Sequence, residues 1–252
     1  MTEERVRSRQ GTGAAAGLRA VILAGGKGTR LMPYTANFPK PLVPLGDVPV
    51  LEVLIRHLVR YDITDITLTL GHLGELVKTY FDYRKRQGVS LRYVEEERPT
   101  GTAGSLALVP GLDETFLVMN GDVLTDLDFN ALVQFHREKN AMLTIATHTR
   151  RTKLDFGTLE FDGDYRITRY LEKPESTYHV SMGIYVYEPA VLKHIEPGSY
   201  LDFPDLVVRL LEQGQRVCAY PCDCLWLDIG RPADYARAQE LFSERKGELD
   251  LV

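Results

Sequence analysis

The residues best suited to chemistry in this chain cluster near its N-terminus. They are Leu23-Ala-Gly-Gly-Lys-Gly-Thr-Arg30, followed by Pro39-Lys-Pro41. Gly25, Gly26 and Gly28 let the backbone bend sharply enough to turn its N–H groups toward an anion. Arg30 and Lys40 bring fixed positive charge to the same place. Leu23, Ala24, the three glycines, Thr29 and Arg30 thus make a candidate polyphosphate-binding loop. It is not a P-loop, because Lys27 stands between the glycines rather than before a Ser or Thr. Nor is it a dinucleotide fingerprint, because Leu31 stands where a third glycine would be needed.

Two carboxylates offer a second kind of chemistry. Asp122, in Asn120-Gly-Asp122, follows the apolar run 115–119, and Asp228, in Trp226-Leu-Asp228, precedes Gly230. Carboxylates at the ends of buried strands suit Mg²⁺, which prefers hard oxygen ligands and keeps waters and phosphate oxygens around it. Read without context, the same residues are a turn aspartate and a cap. Asp126-Leu-Asp128 is read as a loop and helix N-cap rather than a metal motif.

Positioning these groups requires strands that alternate with helices. Residues 20–24, 65–70, 90–94 and 115–119 read as strands, while 51–61 and 74–80 carry helical spacing. Such alternation predicts βαβ units and an α/β domain with a mostly parallel sheet. From residue 156 short β-rich stretches take over at 157–161, 166–171 and 181–186, read as a subregion laid over the sheet. Helices are expected at 202–211, with Asp202 as N-cap and Gly214 closing it, and from Pro232 onward.

The ordered set of Arg19–Leu45, Gly101-Thr-Ala-Gly104, Asn120-Gly-Asp122, Glu172-Lys-Pro174, Gly183-Ile-Tyr185 and Trp226-Leu-Asp-Ile-Gly230 resembles the sugar-1-phosphate nucleotidylyltransferases. Within it, Pro39-Lys-Pro-Leu-Val-Pro44 resembles the wording of guanylyltransferases acting on mannose- and heptose-type phosphates. The resemblance implies a Rossmann-like, GT-A-like sheet flanked by helices, with the β-rich part binding sugar. It implies transfer of a nucleoside monophosphate from an NTP to a sugar-1-phosphate, with Mg²⁺ held by Asp122 and Asp228. Arg30, Lys40, Asp122 and Lys173 are then the catalytic candidates. Gly157, Glu172, Lys173 and Ser181 are the sugar-phosphate candidates, with Ser181 standing where many relatives have Asn. Gly101 and Thr102 should pass the base or ribose.

Glu96 falls where some thymidine- and uridine-using relatives read the base with glutamine. A carboxylate only accepts, and guanine offers two adjacent donors, so GTP is the favoured nucleotide; a solvated acidic turn is the alternative reading of residues 95–97. UTP, dTTP, ATP or CTP, a cyclitol phosphate as acceptor, and a non-catalytic nucleotide-sugar-binding regulatory subunit stay open as alternatives. A metal-dependent glycosyltransferase would have no use for the glycine-rich cationic loop.

Composition narrows the class further. The chain has 252 residues, of which 44% are hydrophobic and 26% charged, as in an ordinary globular protein. A net charge of −5 argues against a nucleic-acid binder. Residues 1–18 carry no apolar core, so a disordered tail is expected there rather than a signal or membrane span, with one domain over 19–252. Cys218, Cys222 and Cys224 lack zinc spacing and are expected to be reduced thiols of a cytoplasmic protein. No internal repeat is present, so nucleotidyl transfer alone is expected. A homodimer is left open.

Overall fold

The computed structural model describes residues 13–84, 87–245 and 247. In chain order the elements are β1 (Arg19–Ala24), β2 (Pro44–Leu45), β3 (Val48–Pro49), α1 (Val50–Val59), β4 (Asp65–Leu70), α2 (Gly74–Tyr83) and β5 (Ser90–Glu95). Next come α3 (Gly101–Gly104), β6 (Phe116–Asn120), β7 (Val123–Thr125), α4 (Phe129–Lys139), β8 (Leu143–Lys153), β9 (Thr158–Phe161) and β10 (Ile167–Leu171). The chain continues through β11 (Glu175–Tyr187), α5 (Phe203–Glu212), β12 (Val217–Cys222), β13 (Trp226–Asp228) and α6 (Pro232–Glu244).

Seven strands form the central sheet in the order β12-β8-β11-β6-β1-β4-β5. β1 runs parallel to β4 and β6, β4 to β5, and β8 to β12, while β11 is antiparallel to both its neighbours. β1 is apolar on both faces because both are covered. Its Ile22 packs with Leu54, Leu58 and Ile66 on one side, and its Val21 with Ala103, Val118 and Leu206 on the other. Adjacent residues of a strand point to opposite faces, so these two serve separate cores. Register sets Leu23 beside Thr69 on β4 and beside Asn120 on β6, aligning three strand ends at one edge.

The mostly parallel α/β sheet agrees with the sequence reading, and several details differ. Ala15 is fully buried, and Asn130 Oδ1 accepts from its backbone N–H at 2.9 Å, so residues 13–18 pack on the body instead of forming a tail. Residues 1–12 lie outside the described residues. The β-rich region is not laid over the sheet: β8 and β11 extend it, and only β9 and β10 form a separate hairpin at the far end of that arm. β8 has no counterpart in the sequence reading, because its Thr-rich second half has no apolar alternation to betray it. Cys222 and Cys224 are joined in a disulfide, where reduced thiols were expected, and Cys218 is free. Among the described residues no helix is long and apolar enough to cross a membrane.

Candidate active site

The aligned ends of β1, β4 and β6 open into a cleft of about 720 Å³. Leu23, Ala24, Gly25, Gly26, Gly28, Thr29, Arg30, Lys40, Glu96, Gly101, Thr102 and Asp122 all line it. Residues from four separate stretches of sequence are thus gathered where an open α/β sheet places its ligands.

The glycine loop is folded back on the lysine that follows it. Gly28 sits at φ 63°, and a Cβ there would stand 3.1 Å from both Lys40 Cβ and Thr35 Cγ2. Thr35 Oγ1 donates to the Gly28 carbonyl at 2.7 Å, fixing the bend. Only glycine meets the left-handed conformation and the close approach together. The consequence is positional: the Lys40 side chain is delivered to the end of β6.

There Lys40 Nζ donates to Asp122 Oδ2. The pair is mostly buried, with the Lys40 side chain 12% and that of Asp122 19% exposed. Asp122 Oδ1 is buried with no partner, so the carboxylate keeps an acceptor oxygen in reserve. β13 pairs antiparallel with β7, and Ile229 N–H donates to the Asp122 carbonyl at 3.0 Å, which sets Asp228 alongside. Burial first, and then the Asp122 carboxylate, hold Asp228 above the usual carboxylate range, against the opposing pull of Lys40 and Arg30. Two crowded carboxylates, one with an orphaned buried oxygen, fit a cation. Among the described residues no third His, Cys, Asp or Glu joins them, so further ligands would have to come from phosphate and water.

Glu96 is held at the opposite side of the glycine loop. Its Oε2 accepts from both the backbone N–H and the hydroxyl of Thr100, at 3.0 and 2.8 Å. Its Oε1 stands 2.8 Å from where a Gly25 Cβ would lie, leaving one free acceptor at the cleft wall. Gly101, at φ +81°, passes so close to Leu201 that a Cβ would meet its carbonyl oxygen.

The sugar-phosphate candidates are not part of the cleft lining. Gly157, Glu172 and Lys173 are exposed and flank the β9–β10 hairpin, from which Tyr170 Oη donates to Glu172 Oε2 at 2.7 Å. Ser181 lies on β11, where its Oγ donates to Tyr185 Oη and accepts from Gly183 N–H. The sequence reading missed Asn120, His72, Tyr200 and Asp202 among the cleft residues. Asn120 was visible as part of its motif. Asp202 does stand at the N-cap of α5, yet its carboxylate leaves the helix and accepts from Thr102 N–H, Thr102 Oγ1 and Tyr200 Oη instead.

Strand-end carboxylates, a glycine-rich cationic loop and a doubly covered, mostly parallel sheet define an α/β protein with a polar cleft at its strand ends. The family model of the nucleotidyl transferases matches residues 19–245, and the chain belongs to that family. It is 35% identical over 241 residues to a UTP–glucose-1-phosphate uridylyltransferase from Synechocystis sp., covering 88% of this chain and 62% of that protein. It is 33% identical over 224 residues to a mannose-1-phosphate guanylyltransferase from Mycobacterium tuberculosis, covering 86% and 62%. The chain therefore spans about three fifths of the length of these relatives. A putative glucose-1-phosphate thymidylyltransferase from Bacillus anthracis superposes with a TM-score of 0.69 at 26% identity, covering 89% of this chain and 94% of that one. HddC from Yersinia pseudotuberculosis, solved with GMP-PN, shares the fold at a TM-score of 0.69 and 24% identity, covering 89% and 99%.

Proposed function

We propose that this chain transfers a nucleoside monophosphate from an NTP to a sugar-1-phosphate, giving a nucleoside-diphosphate sugar and pyrophosphate. The observation that carries the reading is the Lys40–Asp122–Asp228 cluster set directly beneath the glycine loop. In the reaction a phosphate oxygen of the sugar-1-phosphate forms a bond to the α-phosphorus, and the bond from that phosphorus to the β-bridging oxygen breaks. The attacking oxygen is already anionic, so no general base is required.

What the chain must supply is alignment and charge neutralisation. The N–H groups of the glycine loop, with Arg30 and Lys40, hold the β- and γ-phosphates and receive the charge of the departing pyrophosphate. Asp122 and Asp228 would hold Mg²⁺, which when bound neutralises the α-phosphate and orients the attacking group. Lys40 is the cation on Asp122 in the free protein, so binding exchanges one positive charge for another there. Lys173 is assigned to the sugar phosphate and Glu172 to sugar hydroxyls. Both lie outside the lining of the cleft, beside the β9–β10 hairpin.

The proposed nucleotide is GTP. Glu96 presents an acceptor to the base edge, and guanine meets it with N1–H beside the 2-amino group. Uracil or thymine would meet it with one N–H flanked by two carbonyl oxygens. The test is a pyrophosphate-release assay with Mg²⁺ that crosses five triphosphates with a panel of sugar-1-phosphates. Release that needs GTP and one sugar phosphate together supports the whole reading. Release with UTP in place of GTP refutes the base assignment alone, and binding of nucleotide without release under any pairing refutes the transferase reading.

A further inference from the structure

Glu96 follows the edge strand β5, yet its carboxylate reaches past the end of β4 to the residue that follows β1. Two glycines leave that path open. A Cβ on Gly25 would stand 2.8 Å from Glu96 Oε1, and a Cβ on Gly71 would stand 2.7 Å from the Gly25 carbonyl oxygen. Neither glycine has a positive φ, so space rather than backbone conformation calls for them. A carboxylate sent this far from its own strand does more than close the loop that follows it.

Its other oxygen is fixed by one residue. Thr100 gives both of its donors to Glu96 Oε2, the backbone N–H at 3.0 Å and Oγ1 at 2.8 Å. Thr100 is only 3% exposed and is itself held from behind, where its carbonyl accepts from Leu201 N–H at 2.9 Å. The Leu201 carbonyl accepts in turn from Ala103 N–H and Gly104 N–H, at 3.0 and 2.9 Å. Arg98 Nη2 adds a bond to the Gly198 carbonyl at 2.8 Å. Segment 96–104 is thereby clamped to 198–201, with Thr100 between the clamp and Glu96.

We infer that Thr100 is the positioning residue for base recognition: it occupies Glu96 Oε2, aims Oε1 at the cleft, and so sets the hydrogen-bond polarity the base meets. This role rests on the reading under which Glu96 faces the base of GTP. Two donors on the inner atom admit only an acceptor there, so the outer atom alone decides what the cleft offers. With glutamate it is a single fixed oxygen, on which guanine N1–H and the 2-amino group converge. With glutamine the same two donors would take the amide oxygen and turn Nε2–H2 to the cleft. Holding a long side chain in its bound rotamer beforehand also removes that ordering cost from nucleotide binding.

The experiment is calorimetric binding of GTP and of inorganic tripolyphosphate, with Mg²⁺ and without sugar phosphate, to the full chain and its variants. Thr100→Val keeps the branched shape and removes the hydroxyl; Thr100→Ala replaces it as the probe should the valine protein fail to fold. Either raises the dissociation constant for GTP by on the order of tenfold and leaves that for tripolyphosphate within about twofold. Thr100→Ser, which restores the hydroxyl, binds GTP as the wild type does. Glu96→Ala weakens GTP by itself, and adding Thr100→Val to it has no further effect, because no carboxylate is left to aim. Unchanged GTP affinity in Thr100→Val overturns the proposal, as does an equal loss for tripolyphosphate or the same loss on the Glu96→Ala background. A wild type that does not bind GTP, or GTP bound as tightly by Glu96→Ala as by wild type, overturns the base reading and the proposal together. The expected affinities in a protein that releases no pyrophosphate uphold the proposal and refute the transferase reading alone.

Discussion

Lys40→Met tests whether the cation beneath the glycine loop is held as the structure shows. The substitution keeps the unbranched chain up to the position of Cε and removes the ammonium, leaving Asp122 with two bare oxygens instead of one. Removing one partner of a fully buried ion pair costs about 3–5 kcal/mol. At 12% and 19% side-chain exposure, solvent screens part of this, which leaves about 2–3 kcal/mol. For a domain of this size each kcal/mol is worth about 2–4 °C, so the variant should melt about 5–10 °C below wild type in metal-free buffer. The partner left behind causes most of the loss, so Lys40→Met/Asp122→Asn should recover at least half of it, with a coupling energy of about 2 kcal/mol. Saturating Mg²⁺, which can take the vacated place, should restore Lys40→Met by about 2–3 kcal/mol at a hundredfold excess over its dissociation constant. Thermal melts of the four proteins with and without Mg²⁺ supply every number needed. A Lys40→Met protein that melts with the wild type, or a double variant whose loss equals the sum of the singles, would refute the pairing.

Three other outcomes follow from the geometry. Asp228→Asn should raise the metal-free melting temperature near pH 7 while cutting Mg²⁺-dependent turnover by on the order of 10²–10³. The sign comes from its raised pKa: folding penalises the ionised form, so the favourable contribution present at low pH is lost as pH rises through the folded value. Glu96→Gln should lower kcat/KM for GTP relative to UTP by about tenfold, because a donor N–H2 replaces one acceptor; an unchanged ratio in paired assays refutes base reading by this residue. Burial holds His57 down to about 4 while its Nε2 contacts the Leu127 carbonyl at 2.9 Å. Stability is therefore full above about pH 6.5 and falls as pH drops toward 4, by up to about 3 kcal/mol. Urea melts from pH 7.5 to 4 should show this slope in wild type and flatten it in His57→Gln.

The parts of the site that were legible in the sequence are those set by local pattern. β1 is apolar on both faces and is followed by glycines, and Asp122 follows a buried run, so strand, loop and strand-end carboxylate could be placed without tertiary information. The pairing of Asp122 with Lys40, 82 residues earlier, leaves no mark in either local pattern and was not expected from the sequence. Asp202 shows the limit of local reading. Its position before an amphipathic helix marks an N-cap, yet its carboxylate is taken by Thr102, 100 residues away. β8 escaped because Thr144, Thr147 and His148 interrupt the apolar pattern of its inner half, while its outer half, residues 150–153, is exposed and polar. The sugar-phosphate candidates were named through resemblance; Gly157, Glu172 and Lys173 flank the β9–β10 hairpin and Ser181 lies on β11, all outside the cleft lining. Nothing in periodicity reports how far an arm projects.

Position-labelled NTP tests the central claim most directly, because it reports which bond breaks. With sugar-1-phosphate, Mg²⁺ and NTP labelled in turn at the α- or γ-phosphorus, the account predicts α-label only in nucleoside-diphosphate sugar and γ-label only in pyrophosphate. Appearance of γ-label in inorganic phosphate, or of α-label in free nucleoside diphosphate, would contradict it.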